Sequence, residues 1–250
     1  MSSLNSGFGG WNGFGQAPAG QAAGYGVSDS VLAAFFNAVF GWMAAGLSVT
    51  ALVAWLAFKN MATVAPMLSG GGIIVLVVAE LALVWVVSAA VRKISASVAT
   101  VLFLIYAALN GVMLSGVFMV ASPMNLAGAF LITAAMFGTM CVYGVVTKRN
   151  LASMRGLFMM ALVGFCIATV VNVFVASSLL YWAITYGGVV LFCGLTAYDI
   201  QRLTSIAAMT AGDGELAARY SIVGALTLYL DFINLFLLIL RILASNTRRR

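Results

Sequence analysis

Beyond about residue 30 the chain is a succession of long apolar runs separated by short polar breaks. A helix rising 1.5 Å per residue needs about 20 apolar residues to cross a bilayer core roughly 30 Å thick. On that measure the runs predict seven transmembrane helices, over 33–57, 73–91, 98–120, 126–146, 157–177, 179–198 and 219–243. Strands of a membrane barrel would be about ten residues long and alternate in polarity, and these runs do neither. Ser122, Pro123 and Asn125 make a firm break, because proline lacks an amide hydrogen and small polar residues favour turns. Between the fifth and sixth runs only Ser177 and Ser178 interrupt the apolar stretch, so that boundary is the softest.

Residues 1–30 follow a different pattern of Gly, Ala, Ser, Gln and aromatics, with Asp29 their single charge, and are expected to be a disordered tail. A secretory leader would begin with basic residues running straight into an apolar core; here the first run starts only near Val31, so no cleavage is expected. The predicted organisation is a tail over 1–30, an all-α integral membrane domain of seven helices over 31–245, and a basic C-terminal tail over 246–250.

Composition removes the soluble alternatives. The chain is 64% hydrophobic and 7% charged, whereas a soluble domain carries about a quarter charged residues to clothe its surface. The net charge of +6 then reads as a topology and headgroup signal, with no basic domain for nucleic acid. Arg92, Lys93, Lys148, Arg149, Arg155, Arg202 and Arg219 fall on one side of the seven-helix arrangement, and Lys59 with Arg248, Arg249 and Arg250 on the other. The positive-inside rule makes the first side cytoplasmic, with the N-terminus inside and the C-terminus outside. Cys141, Cys166 and Cys193 lie in predicted spans without CxxC spacing, which argues against disulfides and zinc. The absence of histidine excludes serine–histidine proteolysis, histidine-ligated haem and histidine proton relays. No span contains the internal lysine that a retinal Schiff base needs. No N-x-Ser/Thr sequon occurs, in keeping with a bacterial inner (plasma) membrane.

Ionisable groups inside a span cost several kcal/mol to insert, so they are hidden in the bundle and usually functional. Here they are Glu80 in the second span, Asp199 at the cytoplasmic end of the sixth, and Asp231 near the middle of the seventh. Along the seventh helix Tyr220, Gly224, Thr227, Asp231, Asn234, Leu238 and Arg241 form a polar or small stripe, with apolar residues on the other faces. The stripe is expected to face protein or water, making this helix central, with Asp231 and Asn234 shielded from lipid. Thr185, Gly188, Phe192, Thr196, Asp199 and Arg202 make a looser stripe on the sixth helix. Asp199 and Asp231 match in height only if the sixth helix runs past Asp199 toward Ser205. The plainer account is that each acid is structural glue; Asp231 fits it worst, having no basic residue close by on its own helix. Asn37, Asn110 and Asn172 are expected to hydrogen-bond across helices, and Trp55, Tyr181 and Trp182 to anchor span ends.

The segment Gly194-Leu-Thr-Ala-Tyr-Asp-Ile-Gln-Arg-Leu203, followed by Leu228-Tyr-Leu-Asp-Phe-Ile-Asn-Leu-Phe236 and Leu240-Arg241, resembles the two signature stretches of the transmembrane Bax-inhibitor-motif family. The likeness runs from about residue 31 to 244 and includes Glu80 with the following Arg92 and Lys93. The resemblance implies a calcium-leak channel of the bacterial branch, not an enzyme, whose last helix is surrounded by the other six. It implies that Asp199 and Asp231 form a proton-sensing pair, with Arg92 a latch to one of them. Glu80, Asn234, Tyr198 and Arg241 are then pathway or interhelical polar residues. No cofactor is expected; calcium is the permeant ion, with Asp199 and Asp231 as its transient ligands. The partners implied are the lipid bilayer, calcium ions, protons and another membrane protein such as a protease or cell-death factor.

The physical chemistry agrees, because two carboxylates in a low dielectric cannot both ionise cheaply and so share a proton. Calcium prefers carboxylate and carbonyl oxygens, and no ATP-binding motif supports pumping. A competing reading comes from Tyr198-Asp199, which looks like the first motif of intramembrane aspartyl proteases. Their second motif, Gly-x-Gly-Asp, is missing, since Leu228, Tyr229 and Leu230 precede Asp231.

Overall fold

The computed structural model describes residues 28–90, 94–119 and 121–247. Residues 1–27, the latch candidate Arg92, Lys93, and Arg248, Arg249 and Arg250 lie outside them. Among the described residues every regular element is helical: α1 (Asp29–Lys59), the short α2 (Met61–Val64), α3 (Gly71–Ala90), α4 (Ala96–Ser115), α5 (Pro123–Val146), α6 (Arg155–Val175), α7 (Ser178–Met209) and α8 (Gly214–Thr247). Single 3-10 turns, Gly116–Met119 and Leu151–Met154, follow α4 and precede α6.

The helix starts follow capping chemistry. The hydroxyls of Ser95, Ser122 and Ser177 accept the amides of Val98, Asn125 and Leu180, at 3.3, 3.2 and 3.4 Å. Pro123 occupies the first turn of α5, where its missing N–H costs nothing. The soft boundary at Ser177 holds because Ala176 adopts a left-handed conformation, φ 51°, which ends α6.

Among the described residues six helices are long and apolar enough to cross a membrane: Asp29–Lys59, Ala96–Met119, Pro123–Val146, Leu151–Val175, Ser178–Met209 and Gly214–Ser245. Among the described residues the apolar stretch of α3, Gly71–Val84, is shorter, so this measure supports six of the seven predicted spans. The largest departure from the predicted boundaries is α7, which continues well beyond residue 198 to Met209. Hydropathy falls over that extension while the helix persists, and the Thr204 and Ser205 hydroxyls find acceptors within it, the carbonyls of Ile200 and Gln201.

The core is built around the last helix. In its most apolar window α8 is 67% buried, whereas that of α6 has no buried residue. α8 packs against α1, α4, α5 and α7; α3 rests on α4 and α6 on α7, so the close neighbours of α8 are four helices and not six. Leu226, Leu228, Tyr229 and Leu235 are fully enclosed, so the apolar faces of α8 meet protein as much as the polar stripe does. Burial along that stripe is uneven: Asp231 is buried, but Thr227, Asn234 and Arg241 are half-exposed.

Lipid tails are as apolar as leucine, so close packing and hydrogen bonds replace the hydrophobic drive that holds soluble bundles. Gly111 lets α4 approach α1, since a Cβ there would sit 2.7 Å from the Thr50 carbonyl oxygen. The Thr50 hydroxyl donates to the Ala107 carbonyl at 2.8 Å and lies 2.7 Å from the Tyr229 hydroxyl, tying α1, α4 and α8 together. Phe103 and Tyr106 meet the Tyr229 ring edge-on, at 5.7 and 5.9 Å.

Candidate functional site

α7 and α8 form an antiparallel hairpin whose turn is closed by Asp213, which accepts the Leu216 amide at 2.9 Å. Because α7 runs past Ser205, its polar stripe and that of α8 overlap in height. Thr185, Gly188, Phe192, Thr196 and Asp199 are all buried, and only Arg202 at the end of the stripe is exposed. Asp199 and Asp231 are 6% and 5% exposed, and their carboxyl groups lie close enough to interact electrostatically. Ionised carboxylates only accept, so a hydrogen bond between two of them requires that one carry a proton.

The surroundings of the pair are unequal. Arg202 places Nη1 3.9 Å from Asp199 Oδ1, one helical turn away and half in solvent, so the attraction is weak. Asp231 Oδ2 has no hydrogen-bond partner, and Cys141 of α5 lies near this carboxyl group. Tyr198, beside Asp199, packs its ring against Phe158 at 5.6 Å and feels the charge of Arg155. On the opposite side of the same α7 turn, the buried Gln201 carboxamide accepts the Leu151 amide at 2.7 Å and donates to the Arg149 carbonyl at 2.9 Å. No cluster of three or more acids or cysteines able to hold a metal occurs among the described residues. Two carboxyl groups supply too few oxygens for a resident calcium ion, which takes about six to eight.

The other sequence-selected residues lie apart from the pair. Glu80 is half-buried on α3, with Oε1 unpartnered, and acts electrostatically on Tyr106 and Tyr229 across the bundle. The Asn234 side chain donates to the Leu230 carbonyl of its own helix at 2.8 Å. The Arg241 guanidinium stands 4.8 Å from the Tyr181 ring centroid, in an aromatic group with Trp182 and Tyr186. Asn110 bonds to Tyr106 within α4, and Asn37 is exposed on α1, so neither makes the expected bond across helices. Sequence reasoning missed three contributors: Arg202 as the cation on Asp199, Cys141 and Gln201. Only Arg202 carried a usable signal, three residues after Asp199 on one helix.

A sequence profile of the family described as Inhibitor of apoptosis-promoting Bax1 matches residues 32–248. Inner membrane protein YbhL of Escherichia coli K12 is 45% identical over 227 residues, covering 88% of this chain and 97% of that one. An uncharacterised protein of Deinococcus radiodurans is 45% identical over 214 residues, 86% of this chain and 90% of that one. An uncharacterised membrane protein of Streptococcus pyogenes is 35% identical over 229 residues, 89% and 97% of the two chains. With that match spanning six apolar helices long enough to cross a membrane, the chain is a multi-pass membrane protein of the Bax inhibitor family.

Proposed function

We propose that this protein is a passive, pH-dependent calcium leak of a bacterial inner membrane, gated by the proton shared between Asp199 and Asp231. The single observation that carries the reading is the burial of two interacting carboxyl groups on consecutive helices of the core. In a poorly solvated site one proton more or less changes the local charge by a full unit, and that difference can favour one bundle arrangement over another. The membrane assignment draws on YbhL, named an inner membrane protein. α3 serves as the seventh span in this reading, since its 20 residues rise about 30 Å. Arg92 is the proposed latch, and Arg202 a second cation acting on Asp199.

Proteolysis is the poorer use of the same pair. Leu228 and Tyr229, fully buried ahead of Asp231, stand where a glycine-lined approach for a peptide would be needed. The test is calcium flux into liposomes from about pH 6 to 8, the range that tuned carboxyl groups reach. Wild type is expected to show a pH-dependent leak, and Asp199→Asn and Asp231→Asn each to flatten it. Flat calcium permeability in wild type, or an unchanged profile in both variants, would reduce the pair to interhelical glue.

A further inference from the structure

α5 and α6 both pack on α7 and do not pack closely on each other, which leaves a cleft with α7 as its floor. Between α5 and this floor lies an open apolar cavity of about 270 Å³, lined by Ala135, Met136, Thr139 and Met140 of α5 and Cys193 of α7. The segment joining α5 to α6 closes the cytoplasmic end of this cleft and carries Lys148 and Arg149, with Arg155 opening α6. All three are exposed, and none makes an ion pair with an acid among the described residues.

The loop is built rather than loose. Asn150 accepts the Ala152 amide at 3.0 Å, Leu151 is buried, and the two Gln201 hydrogen bonds pin the loop to α7. Gln201 lies eight residues beyond Cys193 on α7, so the pinned loop stands about 12 Å from the cavity along the helix. An acyl chain reaching the cavity would therefore hold its phosphate at the loop.

We propose that this cleft is a binding site for one anionic phospholipid of the cytoplasmic leaflet, with an acyl chain in the cavity and its phosphate on Lys148, Arg149 and Arg155. Three features favour that occupant. The cleft opens to the bilayer, its apolar lining matches a hydrocarbon chain, and the cations at its mouth have no acidic partner. Lys and Arg near an anionic leaflet each strengthen binding about fivefold. Gln201 fixes the loop before the lipid arrives, so little ordering is lost on binding.

The test uses the full chain in nanodiscs of phosphatidylglycerol or of phosphatidylcholine with the same acyl chains, read by native mass spectrometry. Wild type should retain one phosphatidylglycerol roughly tenfold or more over phosphatidylcholine, and Lys148→Gln/Arg149→Gln/Arg155→Gln should lose the preference. Ala135→Trp, which fills the cleft, should lose retention of either lipid; Ala135→Leu decides the point if the tryptophan variant misfolds. Location is read at Cys193 after Cys141→Ser and Cys166→Ser: a membrane-soluble maleimide should react several-fold more slowly in phosphatidylglycerol. Equal retention of the two lipids, a triple variant that keeps the preference, or equal Cys193 labelling in both membranes would overturn the proposal. So would displacement by free glycerophosphate, which would mark a phosphate site without a lipid. None of these readouts depends on calcium flux, so the site stands or falls apart from the channel reading.

Discussion

At the scale of single residues, the Thr50 and Tyr229 hydroxyls show how much depends on which partner is removed. Thr50 has one proton for the carbonyls of Gly46 and Ala107, at 3.0 and 2.8 Å, and with it on either of them Tyr229 is the donor in the bond between the two hydroxyls. Tyr229→Phe removes that bond and leaves no buried donor behind; the expected loss is about 1 kcal/mol, with the ring contacts to Phe103 and Tyr106 retained. Thr50→Val strands the buried Tyr229 hydroxyl, the Ala107 carbonyl keeping its bond within α4, and should cost more, roughly 1–3 kcal/mol. Thermal denaturation of the two purified variants tests the order, and a Tyr229→Phe protein that melts below Thr50→Val contradicts it. The acids divide in the same way. Their presence in apolar runs was visible in the sequence, and so was the possibility that Asp199 and Asp231 meet. The Gln201 bonds were not, because they join α7 to a loop about fifty positions earlier, and no periodic pattern reports a contact of that kind.

At the scale of elements, glycine sets how closely the helices approach. A Cβ on Gly144 would come within 2.6 Å of the Ala197 carbonyl oxygen and 3.0 Å of the Ile200 side chain, so α5 and α7 would have to separate. Gly144→Ala is expected to cost about 1–3 kcal/mol, whereas Gly138→Ala on the same helix meets nothing within 4 Å and should be neutral or slightly stabilising. Equal melting temperatures for the two variants would count against this packing. Helix identity was legible because continuous apolar runs have one common solution in a bilayer. The end of α7 was hidden by its polar residues, which lower hydropathy without breaking the helix. The role of the α8 faces was hidden too: a leucine-rich face can meet lipid or other helices, and its periodicity is the same in both.

At the scale of the whole molecule, the arrangement is a core helix with an uneven wall. α6 touches the rest largely through α7, and Cys166 on it is exposed, whereas Cys141 is half-buried against α8. A membrane-soluble maleimide is therefore expected to modify Cys166 well before Cys141, and mass spectrometry of the labelled protein would show the order. Faster modification of Cys141 would mean that α5 and α8 part in the membrane. The predicted sidedness belongs to this scale as well: reporter fusions at residues 30, 152 and 210 should read cytoplasmic, and a fusion at 250 the opposite side. A cytoplasmic reading at 250 would mean that α8 does not cross.

The helix at the centre also leaves the ribosome after the seven that precede it. Until its 34 residues are made, the groups that will enclose it, Thr50 on α1 and Asp199 on α7 among them, surround a space that has no protein in it. Helices already in the bilayer can pair there, α1 with α4 and α5 with α7, but most of the contacts that join those pairs form only when α8 arrives. Assembly is therefore a closing event rather than a gradual accretion. A message truncated just before Gly214 would leave most of the mass in the membrane without the helix that joins the two pairs, which makes such a product a substrate for membrane proteolysis.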